Sequence, residues 1–500
     1  MNNFSRFPSC RPLRKAILVL TTVVAVLAQG RAYLLAQGPR SEPIQVGGVT
    51  VSGSLRSRVE SWDWFGNNPD GSYTYSGSLF RLAFRQSKKA HDWELEVAVP
   101  VLLGLPTQAA GTGPQGLGAN YFSANNGSTN ASMMFVKQAF ARFNNIGRVE
   151  GQSLKFGRME LFDGTEVSPK NATLATIKRD RVAQRLLGNF AFTHVGRSLD
   201  GVEYTIDKPR VNFTFVGARP TRGVFQVDGW GELNVNVFYG AVTGRLRDAS
   251  HPGEWRLFGL AFRDYRDSVV KADNRPLAIR QADRNHVNIN TFGGHYVRAV
   301  ETRRGTIDLL VWGAGQTGSW GDLAHRAGAF AAEAGWQPNV IQALAPWIRG
   351  GFNYGSGDAD PTDTTHTTFF QVLPTPRVYA RFPFFNMMNS ADSFGELTLR
   401  PSNALNVRTD VHALRLASGA DSWYQGGGAF QPGTFGYVAL PPQGRAGLAA
   451  LYDVSADLAV TPRFSVNGYY GYAAGRGTAT RIYGTTVSAT LAYVELMFRF

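Results

Sequence analysis

The sequence predicts an all-β protein, a transmembrane antiparallel β-barrel, on three observations. The last ten residues, 491–500, alternate strictly between two faces, one apolar and one mostly polar, and end on Phe500. Segments with the same alternation, each roughly ten residues long as membrane strands are, recur along the chain between turn-rich stretches. The chain holds 56 glycines, and its mean hydropathy is only −0.18. This combination is typical of a barrel in which only alternate residues face lipid.

The amino-terminal segment has the layout of a secretory signal peptide. Residues 1–15 carry four basic side chains and no acid, residues 16–28 are apolar, and small residues follow. We predict a signal peptide over 1–32 with cleavage near 28–32, a short lead over 33–45 and a single barrel domain over 46–500. Cys10 precedes the apolar run, so it is not a lipoprotein cysteine, and cleavage leaves a chain without cysteine.

The carboxyl-terminal segment predicts the compartment. Val494, Leu496, Phe498 and Phe500 share one face of a strand, whereas Arg499 lies on the other. An ordinary amphipathic edge strand or a soluble periplasmic β-protein would also alternate. A final aromatic residue, however, is typical of the assembly signal of Gram-negative barrels. We therefore predict that Leu496, Phe498 and Phe500 are read by the barrel-assembly machinery and that the chain lies among outer-membrane lipids.

The body of the chain has room for about 16 to 18 strands, and a barrel of that size contains water unless loops plug it. Trp93 and Leu95, for example, alternate with Glu94 and Glu96. The stretches 105–132 and 355–393, rich in polar residues and glycine, are predicted to be external loops or constrictions. Four aromatic residues near predicted strand ends are interpreted as membrane-interface residues rather than sugar platforms: Trp62, Trp64, Tyr73 and Tyr75.

The charge of the chain indicates an anionic partner. The formal net charge is +14, and removing the four basic residues of the first segment leaves about +10. An exported chain favours anionic lipid or an anionic solute over nucleic acid. The facing rule directs eight cations into the lumen, where we predict solute contact: Arg56, Arg58, Arg81, Arg85, Arg142, Lys155, Arg349 and Arg408. Acids such as Glu60, Glu94 and Glu495 share that face, so structural pairing across strands is the alternative.

Two stretches carry a family resemblance. The first runs Gly-Arg-Ser-Leu-Asp-Gly-Val over 196–202 and is followed by a strand and Ala-Arg-Pro over 218–220. The second runs from Tyr354 through Ser-Gly-Asp to Thr-Phe-Phe-Gln-Val-Leu-Pro-Thr over 368–375. Both resemble motifs of the alginate-export family of outer-membrane porins, although a tryptophan expected before Gly196 is absent. The motif residues are Gly196, Arg197, Ser198, Asp200, Gly201, Ser356, Gly357 and Asp358.

The resemblance implies an 18-stranded barrel that carries an acidic uronic-acid polymer through a lumen lined with arginine and lysine. Periplasmic export partners would then be possible. From the residues alone, Arg197 and Asp200 either pair with each other or fix a turn.

Other constellations predict no further chemistry. Asp358, Asp360 and Asp363 offer oxygen ligands for calcium, but these residue types are also what turns use. A Gly-x-Gly-x-x-Gly pattern over 313–318 lacks a surrounding βαβ repeat, and we interpret it as a strand, a turn and a strand of small residues. No cofactor and no enzymatic activity are predicted.

We therefore expect a passive, anion-preferring channel for an alginate-like polyuronate or its oligomers. A general porin, or one for small organic anions, is the alternative within transport. From another class, the alternative is a structural or adhesive barrel whose loops plug the lumen.

Overall fold

The computed structural model describes residues 44–65, 71–107, 116–246, 251–484 and 488–500. Within these residues one sheet contains eighteen long antiparallel strands and three short ones, Ile44–Val46, Ala131–Ser132 and Thr365–His366. The long strands are β1 Val49–Asp63, β2 Ser72–Ser87, β3 His91–Leu103, β4 Phe135–Asn144, β5 Gln152–Met159, β6 Leu199–Asp207, β7 Val211–Pro220, β8 Val235–Arg245, β9 Gly253–Asp264, β10 Val287–Thr302, β11 Gly305–Trp320, β12 Leu323–Pro338, β13 Trp347–Gly355, β14 Ser390–Ser402, β15 Leu405–Arg415, β16 Gly447–Ala459, β17 Phe464–Gly475 and β18 Ser488–Arg499. The predicted signal peptide and most of the predicted lead lie outside the described residues.

The sheet closes on itself because the first and last strands pair. β1 and β18 run antiparallel from Ser54 opposite Arg499 to Asp63 opposite Thr490. The final residue adds to this seam, since Phe500 N–H donates to the Gly53 carbonyl and Gly53 N–H donates to the Phe500 carbonyl, both at 3.0 Å. Closure leaves no unpaired sheet edge, which is the condition for a sheet to cross lipid. The predicted β-barrel is confirmed, and the strand number is 18.

Alternation sorts each strand into an outward and an inward face. In β18 the outward Val494, Leu496 and Phe498 are 43–55% exposed, whereas the inward Tyr493 is 7% exposed. The same division holds in β13, where the outward Ile348 is exposed and the inward Arg349 is buried. The outward side chains are apolar because they meet hydrocarbon, and the inward ones are polar because they meet the lumen.

The two ends of the barrel differ in their connections. At one end most connections are short turns, such as 88–90, 208–210, 303–304 and 403–404. At the other end five connections are long: 104–134, 160–198, 265–286, 356–389 and 416–446. In outer-membrane barrels short turns are periplasmic and long loops extracellular.

The long connections hold most of the remaining regular structure. Helix α1, Leu117–Ala124, lies in the first long loop, α2, Ala172–Ile177, in the second, and α3, Leu277–Ala282, between β9 and β10. Helix α4, Gly477–Tyr483, follows β17, and short strands Trp423–Gly426 and Tyr437–Leu440 pair in the 416–446 loop. None of the described helices has the length and apolar character of a membrane span.

Two of the long loops fold down into the barrel. In the 160–198 loop, Leu174 and Ile177 of α2 pack on Val297 of β10 and Leu310 of β11, near the short-turn ends of those strands. The 356–389 loop contributes a run of buried aromatic residues, including Phe370, Tyr379 and Phe384. The lumen therefore holds a core of packed loop residues. A barrel of this width contains water unless loops fill it, and here two loops occupy part of the lumen.

Candidate functional site: the lumen passage

The structure places all eight predicted cations on the lumen face, and every one of them has an acidic partner. The pairs are Arg56 with Glu495 (3.8 Å), Arg58 with Glu60 (2.9 Å) and Glu495 (2.6 Å), Arg81 with Glu96 and Glu160 (3.5 Å), Arg85 with Glu94 (2.7 Å), Arg142 with Asp92 (3.0 Å), Lys155 with Glu203 (3.2 Å), Arg349 with Asp308 and Glu333 (3.4 Å), and Arg408 with Asp410 (2.7 Å) and Glu396 (3.3 Å). Most partners come from adjacent strands, as in a cross-strand charge network. Contact of these side chains with solute stays a prediction.

A buried ion cluster fastens the 160–198 loop to the wall. Arg181 of the loop donates through Nε and Nη2 to the Glu333 carboxylate of β12, at 2.8 and 3.0 Å. Arg185 donates to the same carboxylate at 3.3 Å and to Asn353 of β13 at 3.0 Å. Arg349 adds a third guanidinium on Glu333. Because this carboxylate is fully enclosed, its three cations are the groups that satisfy it.

Two arginines contact the ring of Phe192, which belongs to the same loop. The guanidinium of Arg58 lies 4.0 Å from the centre of the Phe192 ring, and that of Arg377 lies 3.8 Å from it. Arg377 belongs to the 356–389 loop and also approaches the ring of Trp62 in β1, at 5.5 Å. Arginine favours such aromatic faces because the ring quadrupole attracts its charge.

Arg377 differs from the eight wall cations in having no acidic partner among the described residues. Its Nη1 and Nη2 atoms are buried and make no hydrogen bond there. Burial lowers the pKa of Arg377, with Glu60 the largest opposing influence. Arg381, four residues further along the loop, likewise leaves Nη1 without a partner within the described chain. Two incompletely satisfied guanidiniums thus stand in the lumen on one loop.

Two cavities lie in the lumen, one towards each end of the barrel. Towards the long loops a cavity of about 550 Å³ is lined by Trp64, Phe190, Phe225, Arg377 and Phe430, among others. At the short-turn end a cavity of about 570 Å³ is lined by Arg400, Asp457, Asn467, Glu495 and Arg499, among others. Glu495 of the lower cavity holds Arg58, and Arg58 and Arg377 flank Phe192.

The predicted interface aromatics lie inside the barrel instead. Trp62, Trp64 and Tyr75 are 1–2% exposed and face the lumen, and Tyr73 stacks on Trp62. Trp64 stacks on Phe382 of the 356–389 loop. These aromatic residues face the lumen because each lies an even number of positions along the chain from an inward charged residue of β1 or β2. Trp62 follows Arg58 and Glu60 at steps of two, so the same facing rule applied to it would have given the correct side.

The first family motif braces the place where the 160–198 loop rejoins the wall. Gly196 has φ +66°, a conformation that favours glycine, and Ser198 Oγ donates to the Lys137 carbonyl at 2.7 Å. Arg197 donates to the carbonyls of Gly188 and Gly427, and Asp200 pairs with Arg158 at 2.7 Å. Arg197 and Asp200 therefore do not pair with each other. Gly201 lies in β6 opposite Gly157 and Ala218.

The second motif shapes the start of the 356–389 loop. Ser356 Oγ donates to the Thr367 carbonyl at 2.7 Å, and a side chain at Gly357 would meet Asn389. Asp358 N–H donates to the Asp421 carboxylate at 2.9 Å. Asp360 and Asp363 each accept a hydrogen bond from an amide two residues later. These are turn contacts, and no group of three metal-binding side chains comes together among the described residues.

The structure also locates the glycine pattern over 313–318 and the carboxyl-terminal residues. The glycine pattern over 313–318 lies wholly within β11, the turn follows at 321–322, and the strand of small residues, β12, comes next, so the predicted order of strand, turn and strand is confirmed. At the carboxyl terminus, Leu496 and Phe498 face outward, and the Phe500 ring closes over Gly53. The role of these terminal residues in assembly stays a prediction.

Comparisons with known proteins agree with this architecture. The sequence profile described as alginate export matches residues 49–475. The chain belongs to the alginate export family. A search of curated protein sequences finds no match.

Solved structures show the same fold at low identity. Acinetobacter baumannii OccAB2 superposes with a TM-score of 0.56 at 9% identity, over 90% of this chain and 98% of that one. Pseudomonas aeruginosa OccK9 (OpdG) gives the same values. Pseudomonas aeruginosa OpdK with vanillate gives a TM-score of 0.52 at 8% identity, with the same coverage. This member of the alginate export family is an outer-membrane β-barrel channel.

Proposed function

We propose that the protein is a passive, anion-preferring channel for an acidic polysaccharide or its oligomers, and that Arg377 contacts the solute beside Phe192. The observation that carries this proposal is the contrast among lumen cations. The eight wall cations have carboxylate partners, whereas both terminal nitrogens of Arg377 have none among the described residues.

The chemistry of Arg377 suits a carboxylate in transit. A guanidinium presents two parallel N–H donors that match a carboxylate, and a charged hydrogen bond of this kind contributes about 1.5 to 3 kcal/mol. Phe192 contacts the face of the guanidinium, and the N–H edge has no acceptor among the described residues, so a carboxylate that reached it would be its partner. Conduction also requires that each site release its ion, and a single contact of this size does so.

The wall cations would play a supporting part. Acids such as Glu94 and Asp92 balance the charge of these cations. Each ion pair therefore presents little net charge to a passing solute. A polyuronate sliding through the lumen would meet these groups in succession without a deep binding site. The family assignment favours a polymer as the solute.

Oligouronate block in planar bilayers tests the proposal. We expect brief, concentration-dependent closures of wild-type channels by oligouronate but not by a neutral oligosaccharide of the same length. Arg377→Gln should weaken the block about ten-fold, the equivalent of roughly 1.4 kcal/mol, and Arg377→Lys, which keeps the charge without the planar fork, should keep part of it. Equal block of wild type and Arg377→Gln would show that the solute does not meet this residue.

A small aromatic carboxylate is the second candidate solute. The cavity of about 550 Å³ combines Phe190, Phe225 and Phe430 with Arg377. That combination fits an aromatic ring with one acidic group. The fold relative OpdK is seen with vanillate. Faster entry of a benzoate-class anion than of an oligouronate in a liposome swelling assay would favour this reading.

A plugged barrel is the alternative outside transport, and the two descending loops motivate it. Complete electrical silence from correctly folded protein would support it.

We also propose cleavage near residues 28–32, with a single domain from 46, recognition of Phe500 by the assembly machinery, and polymer delivery by periplasmic partners. Amino-terminal sequencing of the exported protein tests the first of these.

A further inference from the structure

The outer wall carries a shallow hollow at the periplasmic end of β11, β12 and β13. Ile307, Trp336 and Ile348 pair with one another across these strands and stand on the outward face, each 41–48% exposed. The next outward position on β12 is Ala334 and its partner on β13 is Gly350. Small residues beside large ones leave a depression of about 710 Å³.

Two arginines stand at the rim of this hollow. Arg303 and Arg304 form the turn between β10 and β11, and both also line the depression. They are exposed, and their guanidiniums make no hydrogen bond or ion pair with the described residues. The carboxylate of Glu301, two residues earlier, makes no ion pair within the described chain either. The turn thus presents two unsatisfied positive charges directly beyond an apolar surface.

The level of the hollow in the membrane follows from the barrel. The turn 303–304 belongs to the short-turn end, which is periplasmic in outer-membrane barrels. Trp336 lies two residues from the end of β12, the position at which tryptophan meets lipid headgroups. The periplasmic leaflet is built from phospholipid, so lipid phosphates lie at the level of the two arginines.

We propose that this hollow is a binding site for one anionic phospholipid of the periplasmic leaflet. An acyl chain lies on Ala334 and Gly350 between the larger side chains, and the headgroup phosphate accepts hydrogen bonds from Arg303 and Arg304. The acyl chain matches the apolar hollow, and the negative headgroup matches the two arginines at its rim. A zwitterionic lipid fits less well because its headgroup has no net charge. The site is independent of the channel function, because the side chains that form it face away from the lumen.

Native mass spectrometry of the detergent-solubilised full barrel tests the site. The probes are phosphatidylglycerol and phosphatidylcholine with identical acyl chains. Wild type should retain phosphatidylglycerol preferentially. Arg303→Gln with Arg304→Gln should lower its retention about five-fold per arginine, and should lower that of phosphatidylcholine less, because choline offsets the phosphate charge. Ala334→Phe fills the hollow, keeps both arginines and should lower retention of both lipids.

The matched control removes two charges from another periplasmic turn. Lys88 and Lys89 are exposed between β2 and β3, beside the large outward residues Phe84, Trp93 and Phe143. Lys88→Gln with Lys89→Gln should leave phosphatidylglycerol retention within two-fold of wild type. Equal loss in this control would mean general electrostatic attraction and overturn the site. Unchanged retention in Ala334→Phe, or no preference for phosphatidylglycerol in wild type, would also overturn it.

Discussion

Cations on the barrel wall and cations on the 356–389 loop share one lumen but are satisfied differently. Arg85 and Arg142 stand on strands whose neighbours carry Glu94 and Asp92 at matching positions. Arg377 and Arg381 stand on a loop with no strand register to supply an acid, and both retain unpartnered nitrogens within the described residues. The wall cations are therefore balanced by acids, whereas Arg377 and Arg381 form no ion pair with the described residues.

The largest expected effect comes from breaking the join between wall and loop. Glu333→Gln leaves Arg181, Arg185 and Arg349 enclosed without their shared carboxylate, and breaking a buried pair costs about 3 to 5 kcal/mol. We expect a lower thermal unfolding midpoint and larger, noisier single-channel conductance, because the 160–198 loop leaves its site. Glu203→Gln, which affects only the pair with Lys155 on the wall, is the control. Identical behaviour of the two variants would contradict the fastening role.

The pH dependence of loop docking should be smaller and has a defined sign. Asp163 in the 160–198 loop accepts amide hydrogen bonds from Leu186 and Leu187. Burial raises the pKa of Asp163 to about 6, although Arg256 opposes the shift. Because the folded pKa lies above the unfolded value of 3.8, protonation stabilises the folded state fully below that value, and this stabilisation is lost as pH rises through 6.

Thermal unfolding midpoints at pH 4.5 and pH 7.5 measure this contribution. Asp163→Asn keeps an oxygen acceptor without a charge, so it should raise the midpoint at pH 7.5 and flatten the difference between the two pH values. An undiminished difference in this variant would assign the pH dependence to other groups.

The smallest expected effect is on the wall. Arg85 is 60% exposed at its side chain and pairs with Glu94, a kind of surface pair that contributes about 0 to 1 kcal/mol. Arg85→Gln should change oligouronate block and reversal potential by less than two-fold in bilayer recordings. A loss as large as that in Arg377→Gln would erase the distinction between wall and loop cations.

The facing of the wall residues could be predicted from the sequence because side chains in a strand alternate with a period of two residues. Alternation alone gives the faces of β1 and β18, and hence the inward Arg58 and the outward Phe498. The same alternation gives the inward position of Trp62, whereas the assignment of this residue by type, as an aromatic side chain near a strand end, is wrong. The pairing of Arg58 with Glu495 depends on the contact of the first and last strands, which only barrel closure supplies.

The loop cations had no such period to reveal them. Arg377 comes directly after the second family motif and Pro376, and that position was the one available signal. Its place between Phe192 and Trp62 depends on how two loops distant in sequence pack within the lumen. The descent of the 160–198 loop depends likewise on Arg181 meeting Glu333, 152 residues away.

The reversal potential of single channels in a salt gradient tests the central claim most directly. Wild type should prefer the anion, Arg377→Gln should lose much of that preference, and Arg377→Lys and Arg85→Gln should keep it. Such a pattern would show that Arg377 in the 356–389 loop supplies the charge that selects anions. An anion preference that survives Arg377→Gln but falls in Arg85→Gln would contradict the account and return the solute to the wall.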